Sequence, residues 1–167
     1  MVFLIINMLK IRQFEWKDVD ALNEIINDPE VGRYSQEVIP LPLENMVHQF
    51  SERVRNKDIV LVAEEDGQIA GHLVIGIGRD KLSHVGSIGL FVRKELWGKG
   101  VGTKLLEEGI KAAKERGLKK LMYDVYSPNE RSINLVKQFG FELHGTLKKH
   151  MLAEGNYLDK LIFEKLL

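Results

Sequence analysis

Gly98, Gly100 and Gly102 fall within five positions of the stretch FVRKELWGKGVGTKLLEEGIKAAKERG, residues 91–117, and Lys99 stands between the first two. A helical pattern opens at once, with Val101, Leu105, Leu106, Ile110 and Ala113 at the spacing of one apolar face. Glycine costs backbone entropy and lowers helix propensity, so this cluster at a helix start needs a reason. One reason is chemical. A helix N-terminus presents unpaired N–H groups and a partial positive charge. Glycines before it let the backbone approach an anion, so strand, glycine-rich loop and helix together make a phosphate cradle. The other reason is packing: Gly109, Ala112 and Ala113 would let the helix lie close against a sheet. Two common phosphate loops do not fit. A G-x-x-x-x-G-K-[ST] loop needs a hydroxyl after Gly-Lys, where this chain has Gly100. A G-x-G-x-x-G fingerprint needs glycine where Thr103 stands, and Asp124 lies inside a strand pattern rather than at its end.

The surrounding pattern says what must position this loop. LKIRQF, residues 9–14, alternates as a half-buried strand does. A helix with Val19, Leu22, Ile25 and Ile26 on one face runs to Pro29, and a second is expected from about Leu43. DIVLVAEE, the hairpin signal Asp66-Gly67, QIAGHLVIGIG and HVGSIGLFV then form an antiparallel meander leading into the glycines. LKKLMYDVY is a further strand. SPNE reads as a capping box with Ser127 as N-cap, Pro128 next and Glu130 closing it. The helix it predicts carries Ile133, Val136 and Phe139 and stops at Gly140, and two strands close the chain. The expectation is one mixed α/β domain over residues 9–167, with a mostly antiparallel sheet, one strand–helix–strand crossover and about four flanking helices. Residues 1–8 are expected to be an N-terminal extension or extra strand.

The totals narrow the function. Lys+Arg and Asp+Glu both number 24 in 167 residues, which argues against a dedicated nucleic-acid binder. There is no cysteine, hence no disulfide, no Cys-ligated zinc and no thiol nucleophile. No metal site is indicated. The apolar run Val2–Ile6 is far shorter than the ~20 residues a bilayer needs, and it has no basic flank or cleavage site. The cytoplasm is the default compartment, with no membrane role.

At this point the residues resemble a known family. LFVRKELWGKGVGTKLL resembles the acetyl-CoA pyrophosphate loop of the GCN5-related N-acetyltransferases, [QR]-x-x-G-x-[GA], with Trp97 in the Gln/Arg position and Gly100 and Gly102 in the small ones. VYSPNERSINLVKQFGF is similar to the family's V-x-x-x-N-x-x-A-x-x-x-Y-x-x-x-G-F signature, and HGTLKKHMLAEGNYLDKLIFEK to the ending of the branch holding ribosomal-protein and polyamine acetyltransferases. The resemblance implies a sheet whose parallel central strands splay apart around acetyl-CoA (coenzyme A as product). Trp97, Gly98, Lys99, Gly100, Val101, Gly102 and Thr103 would hold the pyrophosphate. Main-chain groups of Leu90, Phe91 and Val92 would pair with pantetheine, and Asn129 and Ser132 would hold the arm. An amine would attack the thioester directly, with no covalent enzyme intermediate.

The chain departs from the family where acid and base are usually found. Val136 takes the position of the usual Tyr, and Ser87 stands where a Glu is common. His84, Ser87 and Tyr126 are therefore the catalytic candidates. His72, Asp124, Glu95 and Glu142 are other possible bases, and Tyr123 is a second nearby phenol. Tyr157 and Asp159, one strand repeat apart and so on one face, are candidates for the acceptor amine or for fixing the last hairpin. The segments EVGRYSQEVIPLPLENM and 148–157 are expected to shape the pocket. The acceptor would be a small molecule (amino acid, polyamine or amino sugar). The alternatives are a protein N-terminus or lysine, or a non-catalytic coenzyme A-binding module. A homodimer is compatible with the family.

Overall fold

The structure is a computed structural model and describes residues 9–167; the expected N-terminal extension, residues 1–8, lies outside the described residues. Seven strands form one sheet: β1 (Leu9–Gln13), β2 (Ile59–Glu65), β3 (Gln68–Ile77), β4 (Val85–Val92), β5 (Lys120–Tyr126), β6 (Glu142–Ala153) and β7 (Asn156–Leu166). Their order is β1-β2-β3-β4-β5-β7-β6. Every neighbouring pair is antiparallel except β4–β5, which is parallel. That one parallel pair follows from the crossover helix α4 (Val101–Glu115).

Both faces of the sheet are covered, and the strand sequences record it. Along β2, Ile59, Leu61 and Ala63 enter the core under α4, while Val60 and Val62 enter the core on the other face. A continuous apolar run is what a strand buried on both sides requires. Helix α4 and α5 (Glu130–Gln138) cover one face, with Leu105, Leu106 and Val136 fully buried. Gly109 sets how near α4 can come, because a Cβ there would stand 2.9 Å from the Leu73 methyls. On the other face lie α1 (Val19–Asn27), the single turn α2 (Pro29–Gly32) and α3 (Leu43–Arg55), burying Leu22, Ile25, Met46 and Phe50. Each such side chain contributes roughly 1.5–3 kcal/mol of burial. Arg12 ties β1 to the start of α1 through two bonds to Asp18, both 2.8 Å.

Five α-helices stand among the described residues, in keeping with the about four expected; the additional one is a single turn that Asp28 caps, accepting from the Glu30 and Val31 amides around Pro29. One local reading needs correction. The α5 cap is Asn129, not Ser127: the Asn129 side chain accepts from Ser132 N at 3.4 Å, and Ser127–Pro128 remain in the preceding turn. Asn, like Ser, is a strong N-cap, and the Asn129 cap places Ser132 three residues on, where the bond closes.

Candidate active site

The sheet is incomplete at its centre. β4 pairs with β3 along its whole length, from Ile77↔Gly86 to Gly71↔Val92. It pairs with β5 only from Val85↔Lys120 to Ile88↔Tyr123, after which the two strands part. Backbone groups alternate sides along a strand. Arg93 N donates to Ala70 O of the β3 side, so Phe91 and Gly89 also turn their N–H and C=O toward β3. Val92 and Leu90 turn theirs toward the gap, and Val92 O accepts from Trp97 Nε1 at 2.9 Å. The expectation that Phe91 would offer main-chain groups to a ligand is therefore corrected: Leu90 turns both its groups and Val92 its N–H toward the gap, while Phe91 contributes its side chain.

The glycine question resolves in the turn that follows. Gly98 and Gly100 hold φ of +74° and +86°, a region that a side chain makes unfavourable. Gly100 is the N-cap of α4 and no side chain caps that helix, so its first amide groups stay available to a ligand. Gly102 serves contact instead, with space for a Cβ at 3.5 Å from Leu135. Gap and turn open into one cavity of about 570 Å³, within the usual size of a small-ligand site. Leu90, Phe91, Val92, Trp97, Gly98, Gly100, Val101, Gly102, Thr103, Asn129 and Ser132 all line it. Lys99 is exposed and does not. Lys104 is engaged along its own helix by Glu107 at 2.7 Å and Glu108 at 3.4 Å.

Tyr123 sits where the strands part and lines the cavity floor. It is 4% exposed, and burial pushes its phenol up to about 12 despite its hydrogen bond with Ser132. It packs in the same core as Val136, which is wholly buried and so only fills space in α5. Asn129 spends its Oδ1 on the cap, and no described residue accepts from its Nδ2, which is left for the cavity it lines.

The cavity is lined as well by Glu30, Val31, Tyr34 and Gln36 from the α2 region and by Asp124 and Tyr126 from β5, and Glu30 is paired with Lys94, just ahead of the glycine turn. Asp124 is paired with Lys160 of β7 at 2.5 Å. Tyr126 is buried, with its ring stacked on His150 at 6.3 Å. Among the five bases considered, only Asp124 lines the cavity. His84 lies in the exposed turn before β4, at the paired end of the strand rather than the splayed one, and Ser87 is exposed outside the cavity. Glu95 and Glu142 are exposed and likewise outside it. His72 is buried between the Phe50 and Phe91 rings; its Nδ1 has no partner among the described residues, and burial lowers it to about 4.

The last hairpin departs from its expected role as well. Tyr157 is exposed and Asp159 holds the hairpin together, accepting from Lys148 Nζ at 2.9 Å and Lys149 N at 3.0 Å. Neither lines the cavity, nor does any residue of 148–157. Sequence reading missed Glu30, Tyr34, Gln36 and Arg131 as individual residues, although it marked the 30–46 segment as pocket-shaping. Nothing in their spacing distinguishes them from solvated polar residues.

A match to the Acetyltransferase (GNAT) family spans residues 19–141, from α1 through the end of α5 and the whole cleft. The chain belongs to this family. Within it, the Escherichia coli (strain K12) L-amino acid N-acetyltransferase AaaT is 33% identical, covering 89% of this chain and 92% of that protein. The crystal structure of a ribosomal-protein-alanine N-acetyltransferase from Brucella melitensis superposes with a TM-score of 0.87 at 33% identity, covering 95% of this chain and 99% of that one. YncA of Salmonella typhimurium, solved with its cofactor acetyl-CoA, gives a TM-score of 0.88 at 25% identity, over 96% and 94% of the two chains. These GNAT structures share the fold described above, including β6 and β7, which lie beyond the family match. No helix among the described residues is long and apolar enough to cross a membrane.

Proposed function

We propose that the chain transfers the acetyl group of acetyl-CoA directly to the primary amine of a small molecule, free amino acids being the first class to test. The observation that carries this reading is the continuity of the cavity. An uncapped helix start, an unpaired stretch of β4 and the Asp124 carboxylate share one space. The similarity to AaaT supports amino acids as acceptors, and the Asp124 carboxylate, already paired with Lys160, is the partner for an incoming ammonium group.

Acetyl-CoA supplies the activated thioester. The amides at the start of α4 suit its pyrophosphate. The edge groups of Leu90 and Val92 suit the pantetheine arm, and an N–H on this edge would stabilise the oxygen as it gains negative charge. Asp124 attracts the ammonium and accepts its proton, directly or through a water. The C–N bond forms, the C–S bond breaks, and the sulfur leaves as thiolate. Tyr123 donates a hydrogen bond to that sulfur. Complete proton transfer from a phenol near 12 to a thiolate of ~8.5 would be uphill, so the phenol stabilises the leaving charge by its hydrogen bond alone; the second proton on nitrogen passes to solvent as the amide forms, and the released thiolate comes to equilibrium with bulk solvent.

The test is thiol release from acetyl-CoA across amino acids, polyamines, amino sugars and short peptides. Because the chain has no cysteine, a thiol reagent sees only the product. Saturable release with one small amine is expected. Release with peptides alone would instead favour a protein N-terminus, the reading that the likeness to the Brucella enzyme supports. No release, with acetyl-CoA still raising the melting temperature, would favour a non-catalytic binding module.

A further inference from the structure

Arg131 plays no part in the chemistry above, yet it is the one basic side chain among the described residues lining the cavity. Its guanidinium carbon stands 3.6 Å from the centre of the Trp97 ring. That ring is itself held, because Trp97 Nε1 donates to Val92 O at 2.9 Å. The stack joins the turn before α4 to the first turn of α5. No described carboxylate lies within ion-pair reach of Arg131, whereas Arg33 pairs with Glu154, Arg53 with Asp58, and Arg12 with Glu15, Asp18 and Glu64.

We infer that Arg131 is a cofactor-binding residue whose guanidinium neutralises the pyrophosphate of acetyl-CoA, with Trp97 as the platform that holds it beside the turn. A guanidinium lying on an aromatic face keeps its N–H edge available, and its fork matches phosphate oxygens. The need for it is electrostatic. Helix-start amides offer only about half a positive charge, while a pyrophosphate diester carries two negative ones. The two lysines beside the turn do not make up the difference, since Lys99 lies outside the cavity and Lys104 is engaged by Glu107 and Glu108. The motif position that usually carries Gln or Arg holds Trp97 here, so the charge reaches the turn from another helix. The inference rests on acetyl-CoA being the acyl donor.

The experiment is calorimetric binding of coenzyme A, 3′-dephospho-coenzyme A and pantetheine to the wild-type chain, Arg131→Ala and Arg131→Lys. Arg131 is exposed, so both variants should fold, and their unliganded melting temperatures check this. Arg131→Ala is expected to weaken both nucleotide ligands equally, by about tenfold, and to leave pantetheine unchanged. Arg131→Lys should recover part of the loss, keeping the charge but not the planar fork. Unchanged binding of coenzyme A by Arg131→Ala would overturn the assignment while leaving the acyl donor intact. Loss confined to coenzyme A over its 3′-dephospho form would move the contact to the 3′-phosphate and also overturn it. Equal loss for pantetheine would make Arg131 merely structural. A wild-type chain that binds no coenzyme A overturns the proposed function, and this assignment with it.

Discussion

Two parts of the cleft lining are built from different materials. Toward α4 the lining is mostly backbone: the Leu90 and Val92 edge, two glycines at positive φ and the uncapped helix start. The α2 region and the end of β5 contribute side chains instead: Glu30, Tyr34, Gln36, Asp124 and Tyr126. Backbone recognition depends on chain geometry and tolerates change in most side chains. Side-chain recognition changes with single substitutions while the frame stays put. On the proposed function, the backbone-lined part would serve the cofactor, and the side-chain part would decide which amine is accepted.

The largest expected effect tests the side-chain part. Asp124→Asn should lower kcat/KM for the amine by about 100-fold, at the low end of what a lost general base costs, while the dissociation constant of acetyl-CoA stays put. If both constants moved together, the two parts would not be separable. Tyr123→Phe comes next. Losing one hydrogen bond to a charged sulfur predicts a fall of roughly 10- to 100-fold in kcat, with little change in either KM. An acyl donor with a more acidic thiol should shrink that deficit; a deficit independent of the leaving group would make Tyr123 a packing residue only.

His72 tests the wall behind Phe91 rather than the chemistry. Its folded value is near 4 against an ordinary 6.5, so the folded state takes up a proton less readily than the unfolded one. The stability it permits is complete above about pH 6.5 and is lost as pH falls from there toward 4. The expected loss is about 2 kcal/mol between roughly pH 7.5 and pH 5, by urea unfolding. His72→Leu should flatten that slope, and an unchanged slope would assign it to other groups. The smallest effect belongs to the backbone-lined part: Gly100→Ala at φ +86° should cost ~1–2 kcal/mol and weaken coenzyme A severalfold, leaving the amine KM alone. A change in amine KM instead would blur the division drawn here.

What was readable from the residues follows the same division. The strands, the crossover and the glycine turn were legible because periodicity and positive-φ positions leave marks in sequence. The α5 cap was misplaced by two residues because Ser127 and Asn129 are both good caps, and only the bond to Ser132 decides between them. His84 and Ser87 were placed by likeness to a strand position, and the register of β4 against β5 puts both away from the opening. Arg131 was illegible, and Tyr123 was visible only as a phenol near the cleft, for a common reason. Each depends on a neighbour far off in the chain, Trp97 for one and the Ile88 pairing for the other, and no local pattern encodes that.

The parting of β4 and β5 also bears on how this chain meets other chains. Unpaired strand edges invite foreign strands, and proteins blunt the outer ones with charge. Here the outer strand β6 exposes Glu142, His144, Lys148, Lys149 and His150 among its leucines Leu143, Leu147 and Leu152. The edge left open for a ligand is an inner one, with β3 on its far side and α4 and α5 over one face. The fold thus has, besides its outer edges β1 and β6, an open strand edge in its middle, flanked by β5 and covered on one face, where an extended small molecule fits better than a neighbouring sheet.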